Sequence, residues 1–331
     1  MTGVSRGHVA VISMGGTIAM APSASGGIVP SLGAEDLVAS VPGLAELEVK
    51  ITAESLRSLP SPSLGFGDLV ALANRVRDEI DGGATGVVIT HGTDTIEETA
   101  FFLDLTIGWA APVVVTGAMR HPHSAGPDGP ANLYAAIRVA LSPAARGLGA
   151  LVVMSDEVHG ARFVRKSHTI STGAFISPGF GPFGLVVEGD PRMRGVARTG
   201  LTLRPDPRVT DHRVGLITVA MGDDGALLRR SGDLFDGIVI AGLGAGHVPA
   251  TMVGVVADQA ARVPVVLSTR TGSGSVLRHT YGYPGSERDL LDRGLIQSGF
   301  LDPAKSRVLL TLLLANDADR PTIAAAFDLY R

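Results

Sequence analysis

Two short segments of this 331-residue chain combine glycines with hydroxyl side chains in a way that could support nucleophilic chemistry. In Met14–Ala19 (MGGTIA), two glycines permit a sharp backbone bend directly before Thr17. In His91–Thr99 (HGTDTIEET), Thr93 and Asp94 place a hydroxyl and a carboxylate ahead of a helical pattern. A hydroxyl becomes a nucleophile when a base takes its proton and a further group orients that base.

A third segment offers such a base. Lys166 comes after the apolar run at Leu148–Met154, and a threonine with a lysine and a carboxylate is a chemically sensible set. Each segment also has an ordinary structural explanation. A single lysine is usually solvated, Gly-Gly-Thr occurs in plain strand-to-helix turns, and Asp94 with Glu97 matches a helix N-cap with a capping box. No motif therefore decides the function on its own.

Short β-branched apolar runs, each followed by a helical pattern, predict the elements that position these residues. The clearest strands of the first half are Val9–Ile12, Gly86–Thr90, Pro112–Gly117 and Leu148–Met154. This alternation predicts βαβ units and an α/β fold with a mostly parallel sheet flanked by helices. Ligands of such sheets bind beyond the carboxyl ends of the strands, which is where the two threonine segments fall.

The composition changes after Pro178, where Gly, Pro and Arg replace the apolar pattern. Strand and helix patterns resume near residue 214. We therefore predict an N-terminal catalytic domain over residues 1–200, a linker over 201–212 and a smaller C-terminal α/β domain over 213–331.

Charge and composition exclude several classes of protein. The 28 Lys and Arg against 32 Asp and Glu give a net charge of −4, which does not fit a nucleic-acid partner. The absence of Cys excludes disulfides, thiolate metal sites and a cysteine nucleophile. No apolar run is long enough to predict a membrane helix, and the early strand pattern at residues 8–13 does not resemble a signal peptide, so we expect a cytoplasmic protein.

Several motifs together resemble the bacterial-type L-asparaginase and glutaminase-asparaginase family. They are Gly15–Ala19, His91–Ala100, Gly117–Arg120, Asp128–Leu133, and Arg162 with Lys166. The resemblance extends over nearly the whole chain. It implies an amidohydrolase that converts L-asparagine and water to L-aspartate and ammonia without a metal or organic cofactor, and it leaves a weaker glutaminase activity open.

The resemblance also implies roles for the polar residues. Thr17 matches the threonine taken as the nucleophile of an acyl-enzyme, although the family leaves open which threonine attacks first. Thr93, Lys166 and Asp94 match a second triad, in which Asp94 also holds the substrate α-amino group. Lys166 then either stays protonated and acts through its hydrogen bond to Thr93, or loses its proton when the substrate displaces water.

Substrate contacts follow from the same resemblance. Backbone N–H groups around Gly16 and Thr93 are candidates for binding the oxyanion. The Ala118 carbonyl would accept a hydrogen bond from the leaving amide, and Ser61 would hold the α-carboxylate. Ser61 lies in the run Pro60-Ser61-Pro62-Ser63, so an ordinary turn serine is the alternative interpretation.

The chain departs from the family pattern at two places. Pro62 stands where many relatives carry Gln, and because proline has no N–H donor, one carboxylate contact is missing or comes from elsewhere, with Ser63 as a candidate. The loop Met20–Pro30 contains no tyrosine, although the family commonly places there the tyrosine that activates the nucleophile.

We predict that Tyr281 of a partner subunit supplies the missing phenol; a core or surface tyrosine is the alternative. Glu287 is the fallback, as an acidic group, and His247 occupies a position where relatives often have an Asn that reaches across the interface. The resemblance implies a homodimer or homotetramer in which the C-terminal domain contributes to the interface and to the partner's active site.

The sequence leaves two other functions as alternatives. A catalytically impaired relative that binds aspartate or asparagine would fit the missing loop tyrosine. A nucleotide-binding protein is suggested by Gly242-x-Gly244-x-Gly246, but this spacing is not that of a dinucleotide-binding motif. The family domain also occurs in a tRNA amidotransferase subunit with an extra N-terminal domain, which is not expected here because the first threonine turn begins at Gly15.

Overall fold

The computed structural model describes residues 7–22, 28–30, 32–108, 110–195 and 200–331. The chain divides into two compact α/β units, Met1–Thr202 and Leu203–Arg331. Both are α/β units with parallel sheet, which confirms the predicted fold class. None of the helices in the described ranges is long and apolar enough to cross a membrane.

The strands and helices of the N-terminal unit follow the chain in this order. The strands are β1 (His8–Gly15), β2 (Met20–Pro22), β3 (Ile28–Pro30), β4 (Lys50–Leu59), β5 (Gly86–Thr90), β6 (Val113–Thr116), β7 (Ala150–Met154), β8 (Glu157–Gly160), β9 (Arg165–Lys166), β10 (Phe175–Ile176), β11 (Gly184–Val187) and β12 (Asp190–Met193). The helices are α1 (Ala34–Ala39), α2 (Phe66–Asp81), α3 (Ile96–Thr106) and α4 (Gly129–Leu141).

An eight-stranded mixed sheet forms the centre of this unit, in the order β12-β11-β8-β7-β6-β5-β1-β4. Strands β4, β1, β5, β6 and β7 are parallel, and β8, β11 and β12 continue the sheet with antiparallel pairing. All residues of β5, β6 and β7 are buried, which explains their continuous apolar sequences. Helices α2, α3 and α4 pack against these strands.

The strands at the edges of the sheet were not predicted, because their sequences are more polar than those of the central strands. Strand β4 reads KITAESLRSL and lies at one edge of the sheet, with Lys50 exposed at its start. At the other edge, β12 pairs with β11 although residues beyond Val187 lack an apolar pattern. An edge strand need not bury both faces, so its composition resembles that of a loop.

The C-terminal unit is smaller. Its strands are β13 (Val214–Thr218), β14 (Gly237–Gly242), β15 (Val265–Thr269) and β16 (Ile296–Gln297), and its helices are α5 (Ala226–Ser231), α6 (Val253–Arg262), α7 (Glu287–Asp292), α8 (Pro303–Ala315) and α9 (Arg320–Asp328). The strands form a parallel sheet in sequence order. At the start of α8, the buried Lys305 pairs with Asp302 at 2.6 Å.

The division between the units falls inside the predicted linker. Beyond it, Pro207–Thr210 form a 3₁₀ turn in which Val209 is buried. Arg208 pairs with Asp206 at 3.2 Å and with Asp317 at 2.8 Å. The ion pair with Asp317 connects the second part of the predicted linker to the C-terminal unit.

Candidate active site

The turns after β1 and β5 touch each other. These strands are parallel neighbours, with Ser13 opposite Thr90. Gly16 has φ 88°, and a Cβ atom built on it would lie 2.3 Å from the Gly92 Cα. Only glycine permits this close approach of the two backbones. The Thr17 and Thr93 segments therefore lie side by side at the carboxyl ends of their strands.

Thr17 begins a 3₁₀ turn that ends at Ala19. It is half-buried, and its hydroxyl makes no hydrogen bond to another residue of the described ranges. Met20–Pro22 and Ile28–Pro30 pair as antiparallel strands in the loop that lacks the family's tyrosine, and Ser23–Gly27 of that loop lie outside the described residues.

Lys166 joins the second threonine to a carboxylate. Its Nζ donates to Thr93 Oγ1 at 2.9 Å and to Asp94 Oδ1 at 2.7 Å. Thr93 is 6% exposed and the Lys166 side chain 15%, whereas the Asp94 side chain is 60% exposed. The structure thus brings together the three residues that sequence analysis grouped as a triad, with the hydroxyl and ammonium sheltered and the carboxylate open to solvent.

Glu97 holds the backbone of this lysine, a contact that sequence analysis did not identify. Glu97 Oε2 accepts a hydrogen bond of 2.6 Å from the Lys166 backbone N–H. The capping-box interpretation of Asp94 and Glu97 is wrong, because the N-cap of α3 is Thr95. Both carboxylates instead contact Lys166, which lies in β9 far along the chain.

His91 fixes the peptide before Thr93. Its ring is fully buried, and burial lowers the pKa of His91 to about 4, so the imidazole is neutral near pH 7. Nδ1 lies 2.7 Å from the Gly92 carbonyl oxygen, and Nε2 lies 3.0 Å from Thr99 Oγ1. Because a carbonyl only accepts, we assign the ring hydrogen to Nδ1 and the donor role to the Thr99 hydroxyl.

The turn after β6 contacts the Thr93 turn and forms a third side of the candidate site. A Cβ atom on Gly117 would lie 2.5 Å from the His91 carbonyl oxygen and 3.4 Å from Thr93 Cγ2. The next residue, Ala118, is buried beside Gly129. The predicted substrate-binding position Ala118 is therefore adjacent to the Thr93 turn.

Asp128 and Asn132 hold this third turn in place. The Asp128 carboxylate accepts hydrogen bonds from the backbone N–H groups of Met119 at 3.0 Å and Arg120 at 2.8 Å. Asn132 Nδ2 donates to the Gly117 carbonyl at 3.0 Å. The motif Asp128–Leu133 contributed to the family resemblance, and the structure gives its polar side chains a supporting function.

Ser61 also lies next to the Thr93 turn. It is 2% exposed, and a Cβ atom on Gly92 would lie 2.6 Å from its Oγ. Its carbonyl oxygen accepts a hydrogen bond of 3.3 Å from Thr95 Oγ1. Pro62 follows in the same 3₁₀ turn, is exposed, and has no N–H to offer a ligand.

Tyr281 and Glu287, the residues predicted to replace the loop tyrosine, belong to the C-terminal unit. The Tyr281 backbone N–H donates to Glu287 Oε1 at 2.8 Å, and its ring packs edge-on against His247 with centroids 5.0 Å apart. The Tyr281 side chain is 42% exposed, and its hydroxyl has no hydrogen bond to the described residues. A catalytic function of Tyr281 stays a prediction.

The candidate site was also searched for groups of side chains that bind metal ions. Across the described ranges, no three His, Asp or Glu side chains group in a way that could hold a metal ion.

Comparisons with known proteins match both units. The family model "Asparaginase, N-terminal" matches residues 8–197, and "Glutaminase/Asparaginase C-terminal domain" matches 213–327. A probable L-asparaginase of Deinococcus radiodurans is 38% identical over 97% of both chains, and an L-asparaginase of Bacillus licheniformis is 36% identical over 93% of this chain and 95% of its own. The crystal structure of a probable cytoplasmic L-asparaginase from Campylobacter jejuni superposes with a TM-score of 0.86 at 30% identity, covering 97% of this chain and 99% of that one.

Proposed function

Because this chain belongs to the asparaginase family, we propose that it is an L-asparaginase, which converts L-asparagine and water to L-aspartate and ammonia. The observation that carries the proposal is the double contact of Lys166. A sheltered ammonium group binds both a buried hydroxyl and an exposed carboxylate, beside a second threonine turn. This arrangement fits a small polar substrate that carries an amide and an ammonium group.

In the proposed mechanism, the Thr17 hydroxyl attacks the side-chain amide carbon of asparagine. A C–O bond forms, the C–N bond breaks, and ammonia leaves with the proton that the hydroxyl gave up. Water, positioned by Thr93, then hydrolyses the acyl-enzyme and restores the Thr17 hydroxyl. Backbone N–H groups at Gly16 and Thr93 stabilise the negative oxygen of each tetrahedral intermediate.

Lys166 supports this chemistry first as a hydrogen-bond donor. Since Nζ donates both to Thr93 and to Asp94, it orients the Thr93 oxygen and stabilises negative charge that develops on it. Glu97 positions the lysine by holding its backbone N–H. Lys166 can accept the proton of the attacking water only after it has released a proton of its own to solvent, a loss that desolvation by the bound substrate favours.

The remaining contacts are proposed for the ends of the substrate. The exposed Asp94 carboxylate pairs with the α-ammonium, and the Ser61 hydroxyl binds the α-carboxylate. The Ala118 carbonyl accepts a hydrogen bond from the amide that leaves. Pro62 contributes only shape, because it cannot donate.

Three finer points belong to the same proposal. We propose that the protein lies in the cytoplasm, because the similar Campylobacter jejuni protein is a probable cytoplasmic L-asparaginase. We propose a homodimer or homotetramer with active sites shared between subunits. A weaker glutaminase activity is proposed as well, because one extra methylene changes discrimination by only about 1 to 3 kcal/mol.

Ammonia release tests the proposal directly. The purified protein should release ammonia from L-asparagine and more slowly from L-glutamine, and Thr17→Ala should abolish the release. Thermal unfolding with L-aspartate is the companion measurement. Stabilisation by aspartate without ammonia release by the unaltered protein would contradict the hydrolase and favour an amino-acid-binding relative.

A further inference from the structure

The turn between β7 and β8 consists of two residues in a backbone conformation that favours glycine. Ser155 has φ 50° and Asp156 has φ 61°, so both lie in the left-handed region. A two-residue hairpin turn with positive φ at both positions prefers glycine and asparagine, because most side chains are strained there. Both residues are exposed, so packing in the core does not explain why a serine stands at the first position.

Ser155 contacts two segments that are distant from it in sequence. Its backbone N–H donates a hydrogen bond of 2.9 Å to Asn132 Oδ1, across 23 positions of the chain. Its hydroxyl donates a hydrogen bond of 2.6 Å to the carbonyl oxygen of Thr172, across 17 positions. Each of these segments supports a different part of the candidate active site.

Asn132 connects the serine to the turn that follows β6. Asn132 is 2% exposed, and its Nδ2 donates to the Gly117 carbonyl at 3.0 Å and to Asp128 Oδ2 at 3.1 Å. Both partners only accept, so they fix the orientation of the amide and leave Oδ1 to face the Ser155 N–H. Because β6 and β7 are parallel neighbours, one buried amide holds the turns that follow both strands.

Thr172 connects the serine to the hairpin that carries the catalytic lysine. In this Lys166 hairpin, residues 165–176, β9 and β10 form a two-stranded sheet separate from the central one. Ser167, next to the lysine, donates to the Ala174 carbonyl from its N–H at 2.7 Å and from its hydroxyl at 2.9 Å. The loop between the strands is thus held together internally, so a contact at Thr172 restrains the strand that holds Lys166.

The Lys166 hairpin also has an anchor at each end. Glu97 accepts the hydrogen bond from the Lys166 backbone at its start, and just past its end Ser177 Oγ lies 3.0 Å from His159 Nδ1 on β8. The Thr172 contact lies between these two anchors, in the loop that projects beyond both strands. The hydroxyl of the turn serine therefore restrains the part of the hairpin that the other two contacts leave unsupported.

Resting on the function proposed above, we infer that Ser155 is a positioning residue, which holds the Lys166 hairpin in a fixed place relative to the turn of Ala118. Lys166 has to meet Thr93, whereas the Ala118 carbonyl is the proposed acceptor for the leaving amide. Both groups act on one small substrate, so their separation has to be constant. A displacement of about 1 Å in such a site can cost about 100-fold in rate.

Glycine replacements in the turn separate positioning from turn stability. Ser155→Gly removes the hydroxyl that holds the hairpin but keeps the N–H that Asn132 accepts. Asp156→Gly is the matched control, because its side chain is exposed and makes no hydrogen bond to the described residues. Both changes relieve a left-handed conformation, so both variants should keep a melting temperature close to that of the unaltered protein.

The kinetics of the two variants should differ. Ser155→Gly should lower kcat about tenfold with KM within about threefold, the effect expected when one hydrogen bond that orients a catalytic group is lost. Asp156→Gly should leave kcat and KM unchanged. Unchanged kcat in Ser155→Gly, or an equal loss in both variants, would overturn the inference.

A double variant shows whether Ser155 acts through the lysine. Ser155→Gly added to Lys166→Met should lower kcat no further than Lys166→Met alone, because displacement of the hairpin has no effect once the ammonium group is absent. Losses that multiply in the double variant would show an effect on the fold in general and would contradict a positioning function.

Hydrogen exchange tests the attachment of the hairpin without any catalysis. In Ser155→Gly the backbone amides of residues 165–176 should exchange faster than in the unaltered protein, whereas in Asp156→Gly their rates should stay the same. Unchanged exchange in Ser155→Gly would overturn the inference even if that variant is slower. If the unaltered protein releases no ammonia from asparagine, the proposed function fails, and the exchange rates still decide whether Ser155 holds the Lys166 hairpin.

Discussion

The carboxylate of Glu97 accepts a hydrogen bond of 2.6 Å from the backbone N–H of Lys166, a residue 69 positions further along the chain. This contact ties the first turn of α3 to the short strand β9, and it fixes where the lysine backbone lies before its side chain reaches Thr93. Two carboxylates thus share one lysine, one at its backbone and one at its ammonium group.

Glu97→Gln should lower kcat about tenfold, equivalent to about 1.4 kcal/mol, with a small change in KM. A neutral amide oxygen accepts a weaker hydrogen bond than a carboxylate, so the lysine is held less firmly. The measurement is ammonia release under saturating asparagine. Glu98→Gln removes the same charge from the same turn and is the matched control; an equal loss in both variants would argue against a specific effect of Glu97.

Lys166→Met should lower kcat by at least about 100-fold while changing the free energy of unfolding by no more than about 1 kcal/mol. The stability effect is small because the Asp94 side chain left behind is 60% exposed and stays hydrated. Urea unfolding and ammonia release measure the two quantities. Lys50→Met, at an exposed position, is the control, and near-normal turnover in Lys166→Met would rule out a catalytic function for the triad.

Gly16→Ala should abolish activity and destabilise the protein by more than about 3 kcal/mol, since its φ of 88° and its contact with the Gly92 backbone both exclude a side chain. Gly83→Ala separates the two causes. Gly83 has φ 95° with nothing within 4 Å of an added Cβ, so it should cost only about 1 to 2 kcal/mol. Equal losses at both positions would mean that the contact between the turns contributes nothing.

Acid should destabilise the protein well before its carboxylates are protonated. Burial lowers the pKa of both His91 and His159 to about 4, so the unfolded chain binds these protons first as the pH falls below about 6.5. The free energy of unfolding should therefore decrease between pH 6.5 and 4, by about 3 kcal/mol per histidine at most. His159→Gln should make this decrease clearly smaller in urea titrations; an unchanged slope would contradict the assignment.

Mixed oligomers test whether sites are shared between subunits. Chains with Thr17→Ala and chains with Tyr281→Phe should each be nearly inactive alone, if Tyr281 supplies the phenol as predicted. When the two are co-expressed, a mixed dimer regains one site with both intact residues if the phenol comes from the partner subunit. Ammonia release from separately tagged, co-purified dimers measures this recovery, and its absence in such dimers would place both residues on one chain.

Sequence patterns predicted the buried centre of the fold and missed its edges. Strands β5, β6 and β7 were found because full burial demands unbroken apolar runs. Strand β4 and the β11–β12 hairpin were missed because one polar face is compatible with an edge position. Burial constrains composition strongly, whereas backbone pairing at an edge constrains it little.

The candidate site could be predicted from the sequence where a residue type by itself indicates a chemical function. The structure brings Thr93, Asp94 and Lys166 into contact, as the resemblance to the family implied, while their catalytic function stays a prediction. Glu97 was assigned to a helix cap because local spacing cannot reveal a partner 69 residues away. The hydrogen bond between the Tyr283 hydroxyl and His247 was not predicted either, because no spacing in the sequence shows it.

The three lysines differ sharply in accessibility: Lys50 is exposed at a sheet edge, Lys166 is sheltered beside Thr93, and Lys305 is buried against Asp302. Amine-directed reagents would consequently couple to the side chain of Lys50 well before the other two. A polymer or solid support that couples through a lysine side chain would be attached at that edge strand, and it would leave the ammonium group at Thr93 unacylated.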